Sequence, residues 1–491
     1  MRKYWFALAI LCLLPIASPA QDAETVLGNA ARAMGAANLK SIRYSGSGSQ
    51  FVVGQNWSPN EPWPRFNAKS YTYSIDYETP AGSEEMVRTQ ALHPPHGGGP
   101  QPIYGDVLQI QSVSGAYSWS MAGKNPVPQP AAGEVRLLQI WITPHGFLLA
   151  AMKNHATMKP QTISGKKYNV VTFMGNSKSK IVGYINDQNL VEKVDTWIDN
   201  PVYGDLPVEG KYSGYKDFGG IQFPARIVQE QGGYPVLDLT ITDVQRNAPV
   251  DIPVPDAVRQ APATAAQHVD TQKLADGVYF FAGTTHTTVA VEFKDYIVAI
   301  EAPLSEERSL AVIPEIKRAI PNKPIKYLIS THHHVDHSGG VRAYAAEGAT
   351  ILVYAPNKTF YEKLLATPHT IHPDRLSESK VTPHIEVMAA EKKIITDGSR
   401  VLELYHTRDN PHNAYMLMAY LPADKIIVEA DLYTPSIPGT PPPAYPLDLT
   451  FPLNLYDNLQ RLKLGVTRIA ALHNRVAPVE EFLKVIGKPS L

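Results

Sequence analysis

The sequence predicts two domains, a β-rich α+β domain followed by a layered α/β domain, and three observations carry that expectation. The chain has 491 residues, more than one hydrophobic core ordinarily organises. Its composition changes partway along: all six Trp precede residue 200, whereas 12 of the 16 His lie from His268 onward. Between these regions, Asp251 to Gln267 carries three prolines among small residues with little apolar periodicity, which reads as an extended linker. Residues 21–250 and 268–491 are therefore the expected domains.

The first twenty residues read as a signal peptide. Arg2 and Lys3 precede an apolar run from Phe6 to Leu14, far short of a membrane span, and Ala17-Ser18-Pro19-Ala20 offers small residues for cleavage. An exported protein, periplasmic or secreted, is expected. The segment contains Cys12, the single cysteine; Leu11 before it disfavours a lipid anchor. The mature chain should then hold no disulfide and no thiolate ligand. Formal net charge is −1 with 19% charged and 44% apolar residues. That balance excludes a nucleic-acid surface and a polybasic membrane patch, and no later run is long enough to span a membrane. The expected partner is a small-molecule substrate.

The first domain opens with an expected helix over Ala23 to Ala37, with Val26, Leu27, Ala30, Ala33 and Met34 at helical spacing. Strands follow at Tyr168–Met174, Ile181–Ile185, Leu190–Ile198 and Leu237–Val244, rich in β-branched and aromatic residues and separated by Gly, Asn, Asp and Pro. An antiparallel sheet with the helix on one face is expected. The stretch Gly219 to Ile227, followed by Asp243 to Asn247, resembles the half-barrel sheets of periplasmic lipoprotein-carrier proteins. Residues 93 to 103, with His93, His96 and three consecutive Gly, read as a flexible solvated loop rather than a metal site.

The second domain alternates strand and helix patterns. Strands are expected at Val278–Ala282, Thr288–Phe293, Tyr296–Ile300, Ile325–Ser330 and Thr350–Tyr354, and helices at Leu310–Ile320 and Val341–Glu347. The strand ending at Ser330 runs directly into Thr331-His332-His333-His334-Val335-Asp336-His337-Ser338-Gly339-Gly340. Four imidazoles and a carboxylate within six residues suit neither a core nor an ordinary loop. They are nitrogen and oxygen ligands for divalent metal. Alternate residues His332 and His334 can face one way while Asp336 and His337 reach a neighbouring point, as two cations roughly 3.5–4 Å apart require.

A His-x-His-x-Asp-His run after a strand resembles the metallo-β-lactamase fold superfamily. The resemblance covers residues 268–491 and implies a four-layer αβ/βα sandwich with a dinuclear site at one edge. It implies three further ligands in order: a His, a bridging acid and a late His. The first matches His412, just before an expected strand Ala414–Pro422; His406, followed by Thr407, competes but lies six residues farther from that strand. The second matches Asp431 at the end of an apolar strand, and the third His473 at the end of Arg468–His473. His332, His334 and His412 would then hold one cation, Asp336, His337 and His473 the other, with Asp431 and a water between them. His333 should point away, as should His369, His372 and His384. Glu301 would stand behind the site, either orienting a ligand or serving only structure.

Two zinc ions fit this ligand set, with iron or manganese allowed. The resemblance implies hydrolysis of an ester, lactone, amide or related bond by a bridging hydroxide, with Asp336 as the catalytic carboxylate. Asp431 where other branches carry a cysteine points away from the thiolate-bearing β-lactamases. Two alternatives stay open: a carrier for an apolar ligand or envelope partner with a structural metal site, and an iron-dependent oxygenase. The segment Tyr433 to Phe451, with Pro435, Pro438, Pro441, Pro442, Pro443, Pro446 and then Pro452, is either an apolar lip carrying Tyr445 and Phe451 or a plain connection.

Overall fold

A computed structural model describes residues 19–175, 179–262, 267–439 and 448–491. Most of the expected signal segment and the centre of the proline-rich stretch, with Pro441, Pro442, Pro443, Tyr445 and Pro446, lie outside the described residues.

Residues 41–246 form one antiparallel sheet of thirteen described strands. Nearly every strand pairs with its neighbours in sequence, as hairpin connections dictate. The exception is Ser41–Phe51, which pairs with both Arg65–Asp76 and the last strand, Tyr234–Arg246. The sheet is open, with Asn125–Pro128 and Thr157–Ile163 as its edges. The four expected strands are present, each within three residues of its expected ends. Helices Pro19–Ala33, Gly133–Trp141 and Pro144–Lys153 supply Leu27, Ala30, Leu138, Ile140, Phe147 and Leu148 to the same buried cluster as Ile42, Tyr44, Tyr73, Val171 and Phe223 from the sheet. No single helix among the described residues is long and apolar enough to cross a membrane.

Two local expectations need correction. The opening helix stops at Ala33, four residues early, because Gly35 takes a left-handed backbone conformation (φ 69°) that a helix cannot continue through. The linker is not wholly extended: Asp256–Arg259 forms a short helix, and Val258 is buried.

The second domain is built on two sheets. The first runs in the order Asp270–Ala275, Val278–Ala282, Thr288–Glu292, Ile297–Ile300, Ile325–Ile329, Thr350–Tyr354 and His384–Met388. The second runs Lys392–Thr396, Val401–His406, Leu417–Leu421, Ile426–Glu429, Arg468–Ala471 and Val476–Pro478. The central strands of the first sheet, Thr288–Glu292 and Ile297–Ile300, are buried on both faces, as strands covered on both sides require. Phe280, Val298, Ile300, Ile329 and Leu352 pack with Leu402, Leu404, Leu417 and Val428 of the second sheet. Their neighbours in sequence, Phe281, Ile297, Ala299, Leu328 and Ile351, face Val312, Ile313 and Ile316 of helix Glu306–Ala319 and Val341 of helix Val341–Ala346. Period-two alternation thus feeds two cores from one sheet. Leu455 and Leu459 of Thr450–Leu462 and Phe482 of Val479–Ile486 pack on the second sheet. The order is helix, sheet, sheet, helix, the four-layer α/β class the sequence predicts.

The two domains touch at several points. Val202 of the first domain is buried in the helix-side core of the second, and Tyr203 meets Phe360 edge-on with ring centroids 6.3 Å apart. The Asp205 carboxylate accepts the backbone N–H groups of Thr370 and Ile371 at 2.9 and 3.1 Å.

Candidate metal centre

The seven residues singled out in the sequence converge at strand ends. His332 and His334 follow Ile325–Ile329, and Asp336 and His337 lie in the single helical turn Val335–Ser338. His412 precedes Leu417–Leu421, while Asp431 and His473 each lie two residues beyond the parallel neighbours Ile426–Glu429 and Arg468–Ala471. Loops at strand ends can place polar groups together without disturbing the core between the sheets.

His332, His334 and His412 form one group whose candidate ligand atoms all lie within 4.8 Å of one another. His334 Nδ1 lies 3.0 Å from His412 Nε2. Two nitrogens bound tetrahedrally to one zinc at 2.0–2.1 Å would be roughly 3.3 Å apart. On the other side, His337 Nε2 lies 3.1 Å from His473 Nε2. Asp431 stands between the two sets. Its Oδ2 is 3.0 Å from His337 Nε2 and 3.4 Å from His332 Nε2, and its Oδ1 is 2.9 Å from His473 Nε2 and 3.5 Å from His412 Nε2. Its backbone is left-handed at φ 62°, a conformation that costs a non-glycine residue about 1–3 kcal/mol and persists where the surroundings enforce it.

The residues present fit a pair of cations. His332 Nε2 is a buried polar atom with no hydrogen bond, an arrangement that is costly unless a further partner is supplied. The other nitrogens of the rings are held. His337 Nδ1 donates to Glu301 Oε2 at 3.1 Å, and the Thr331 hydroxyl, 3.0 Å from His332 Nδ1, donates to the same carboxylate. Such outer bonds fix the tautomer and aim the free nitrogen at a metal. Glu301 therefore orients His337, one of the two roles the sequence leaves open.

Burial disfavours imidazolium and lowers the pKa of His332, His333 and His334, the last to about 3, and of His412 as well. These rings are neutral, the form that ligates. Burial also opposes ionisation of Asp336 and Asp431, yet His337 and the neighbouring imidazoles hold both well below the usual carboxylate range. At His337, Asp431 and Asp336 outweigh burial and raise the pKa. Glu429, buried beside Asp431, is pushed up to about 8 by burial and then by that neighbour, which favours its neutral form.

Three groups near the cluster escaped sequence reasoning. His286 Nε2 is 3.3 Å from Asp336 Oδ2, and its ring lies 4.1 Å from that of His473. Its signal was a lone His between two expected strands, in Gly283-Thr284-Thr285-His286. The other two, Gln55 and Asn56, come from the first domain. Gln55 Nε2 donates to Asp336 Oδ1 at 2.7 Å, and the Asn56 carbonyl accepts from His334 Nε2 at 2.9 Å. The loop after residue 92 is not simply solvated. Gly97 and Gly98 are buried, and the Gly97 N–H donates to the Pro411 carbonyl at 3.0 Å. A Cβ on Gly98 would fall 2.6 Å from His334 Cε1. His96 stays half-exposed, stacked on Trp57 and paired with Glu61.

Other histidines stay outside. His333 faces Asn56 and Phe360. His406 stacks on Tyr354 and hydrogen-bonds with the Ala414 carbonyl, so the structure brings His412 rather than His406 to the cluster. His369 and His372 lie near Asp199, and His384 is exposed. Of the expected lip, Phe451 meets the His412 ring edge-on at 5.3 Å, whereas Tyr433 is buried against Phe482.

Residues 299–434 match the family model described as the metallo-beta-lactamase superfamily. A stretch of 89 residues is 33% identical to a linear primary-alkylsulfatase of a Pseudomonas species, covering 17% of this chain and 13% of that protein. The chain thus matches about an eighth of that relative's length. Among solved structures, a metallo-beta-lactamase from Pontibacter korlensis is 18% identical, covering 45% of this chain and 99% of its own, with a TM-score of 0.34. The mono-zinc form of FIM-1 from Pseudomonas aeruginosa has the same identity and TM-score and covers 45% and 93%.

Proposed function

From a second domain with the metallo-β-lactamase fold, the fold of a metallohydrolase superfamily, we propose that this protein is an exported hydrolase with two zinc ions at one site, cleaving an ester, lactone, amide or related bond in a small molecule. One observation carries the reading. The Asp431 carboxylate presents one oxygen to His332 and His337 and the other to His412 and His473, the placement of a group shared by two cations.

His332, His334 and His412 would hold one cation, and Asp336, His337 and His473 the other. When bound, such a pair brings the pKa of water toward neutrality and polarises the substrate oxygen. Asp336 is ionised, and Gln55 and His286 fix its two oxygens. It is placed to accept a hydrogen bond from an attacking water and so to aim the water's lone pair. Glu301 keeps the His337 Nδ1 proton off the centre. Phe451 beside His412 gives the site an apolar wall. The nitrogen and oxygen donors suit zinc, and iron or manganese are the other candidates. The alkylsulfatase relative adds sulfate esters to the substrate classes worth testing. The signal-like residues 1–20 support export.

The carrier reading has less support, because helix residues such as Phe147 and Leu148 already fill the core against the first sheet. Metal analysis of the full chain, paired with a panel of chromogenic esters, lactones, β-lactams, phosphodiesters and sulfate esters, tests the proposal. About two zinc per chain and hydrolysis abolished by chelation are expected. Near-zero metal after purification with added zinc would overturn it, and iron with oxygen uptake would favour an oxygenase.

A further inference from the structure

We infer that the first domain completes the metal centre of the second, with Gln55 and Asn56 as positioning residues for Asp336 and His334; this inference rests on the two-cation reading above.

Three contacts carry it. Proton bookkeeping at His334 comes first. Its Nδ1 points to His412 Nε2, the side where a cation would sit, so its Nε2 must keep the proton. The Asn56 carbonyl, 2.9 Å away, takes that proton. Asn413 Nδ2 lies 3.2 Å from the same nitrogen but is itself a donor and cannot. Asn413 of the second domain thus offers His334 Nε2 a donor, and the acceptor comes from the first domain.

The second contact is at Asp336. One of its oxygens meets His286 at 3.3 Å and the other accepts the Gln55 amide at 2.7 Å. Gln55 is only 5% exposed, so this bond is poorly exchanged with water and holds the carboxylate's rotation. The third contact explains why the loop can come so close. Gly98 backs the pair, and a Cβ there would fall 2.2 Å from Gln55 Oε1 as well as against the His334 ring. The loop is pinned across the domain boundary by further bonds. The Ala414 N–H donates to the Trp57 carbonyl at 2.8 Å, the Trp57 indole to the Asn410 carbonyl at 2.8 Å, and the Val335 N–H to the Gly54 carbonyl at 3.3 Å.

Partners behind metal ligands typically contribute about 10- to 100-fold in metal affinity. The test is cobalt(II) titration of the demetallated full-length protein, followed by the visible spectrum and by competition with a chelator. Gln55→Met keeps the length of the side chain and removes the donor. Wild type should bind two cobalt ions. Gln55→Met should bind the ion held by Asp336 at least ~10-fold more weakly, with an altered spectrum for that ion and an unchanged circular dichroism spectrum. Gly98→Ala, acting on His334 from the neighbouring loop after Gln90, should weaken the ion held by His334, and it decides the matter if Gln55→Met fails to fold. Two ions bound by both variants with wild-type affinity and spectra would overturn the inference and leave the two-cation reading standing. No cobalt uptake by wild type would instead remove that reading, and this inference with it.

Discussion

The Gln55 amide sits 2.7 Å from the Asp336 carboxylate although 281 residues separate them in the chain. The composition boundary near residue 250 is thus not a functional boundary. The first domain reaches the candidate site through the loops after Phe51 and Gln90, and it also places Val202 in the second domain's core. A hydrolase whose site is walled by another domain can draw substrate selectivity from that domain.

Asp431→Ala should damage both halves of the site, because each carboxylate oxygen faces one histidine of either set. Zinc retained after gel filtration should fall from two per chain to one or fewer. Hydrolysis of the best panel substrate should fall more than ~100-fold, the upper end of what loss of an outer partner alone causes. Two retained zinc ions with near wild-type rates would show that this carboxylate is not shared.

Glu301→Ala should be worse than Glu301→Gln. The carboxylate accepts from His337 Nδ1 and from the Thr331 hydroxyl, and all three groups are buried. Alanine leaves these two buried donors and the Thr331 N–H without that acceptor, at about 1–3 kcal/mol each, whereas the glutamine amide oxygen can still accept. Chelator competition should show zinc affinity falling in the order wild type, Gln, Ala, by about 10- to 100-fold in total. Equal affinity in all three would make Glu301 a purely structural acid.

Much of the site was legible because its strongest signal is local: His332, His334, Asp336 and His337 stand within six residues directly after an apolar strand. His412, Asp431 and His473 were legible only by their order after strands and by resemblance, since each alone reads as a turn or core residue. Gln55 and Asn56 were not legible at all. Their role depends on how two domains dock, and nothing in Gly54-Gln55-Asn56-Trp57 encodes that partner. The first half of the large sheet was hidden for a different reason. The strand Ser41–Phe51 contains Ser-Gly-Ser-Gly-Ser, which reads as a loop, yet it pairs on both sides with shifts of register around Gly46 and Gly48. Backbone pairing within the sheet outweighed weak propensity there.

Removing the metal should cost stability in the second domain specifically. With free zinc at one hundred times its dissociation constant, a bound ion contributes about 2.7 kcal/mol. Its loss also leaves the Asp336 and Asp431 carboxylates facing each other with only the histidines between them. A chelator should therefore lower the unfolding midpoint of the second domain, followed by hydrogen exchange at the strands Ile325–Ile329 and Ile426–Glu429. Exchange in the helix-packed core of the first domain should stay unchanged. Equal loss of protection in both would mean that the domains unfold as one unit.

Acid should destabilise the first domain through His145, which packs among first-domain residues. The ring is fully buried, stacked on Phe223 at 5.4 Å, with Nε2 donating to the Met34 carbonyl at 3.1 Å and Nδ1 unpaired. Burial lowers its pKa from 6.5 to about 4. Above pH 6.5 neither the folded nor the unfolded chain binds this proton, so the contribution to stability is complete. Between about 6.5 and 4 only the unfolded chain binds it, and stability falls as pH falls. Below about 4 both states carry it and the loss stops growing. From pH 7.5 to 4.5 the penalty is about 2–3 kcal/mol. All six tryptophans precede residue 200; with Trp57, whose indole bonds to Asn410 of the second domain, replaced by Phe in both proteins, tryptophan fluorescence during urea unfolding reports on this domain. His145→Gln keeps a donor for Met34 and removes the titration. Its stability relative to wild type should rise by about 2–3 kcal/mol over that pH range. A difference that stays constant with pH would show that His145 titrates alike in the folded and unfolded chain.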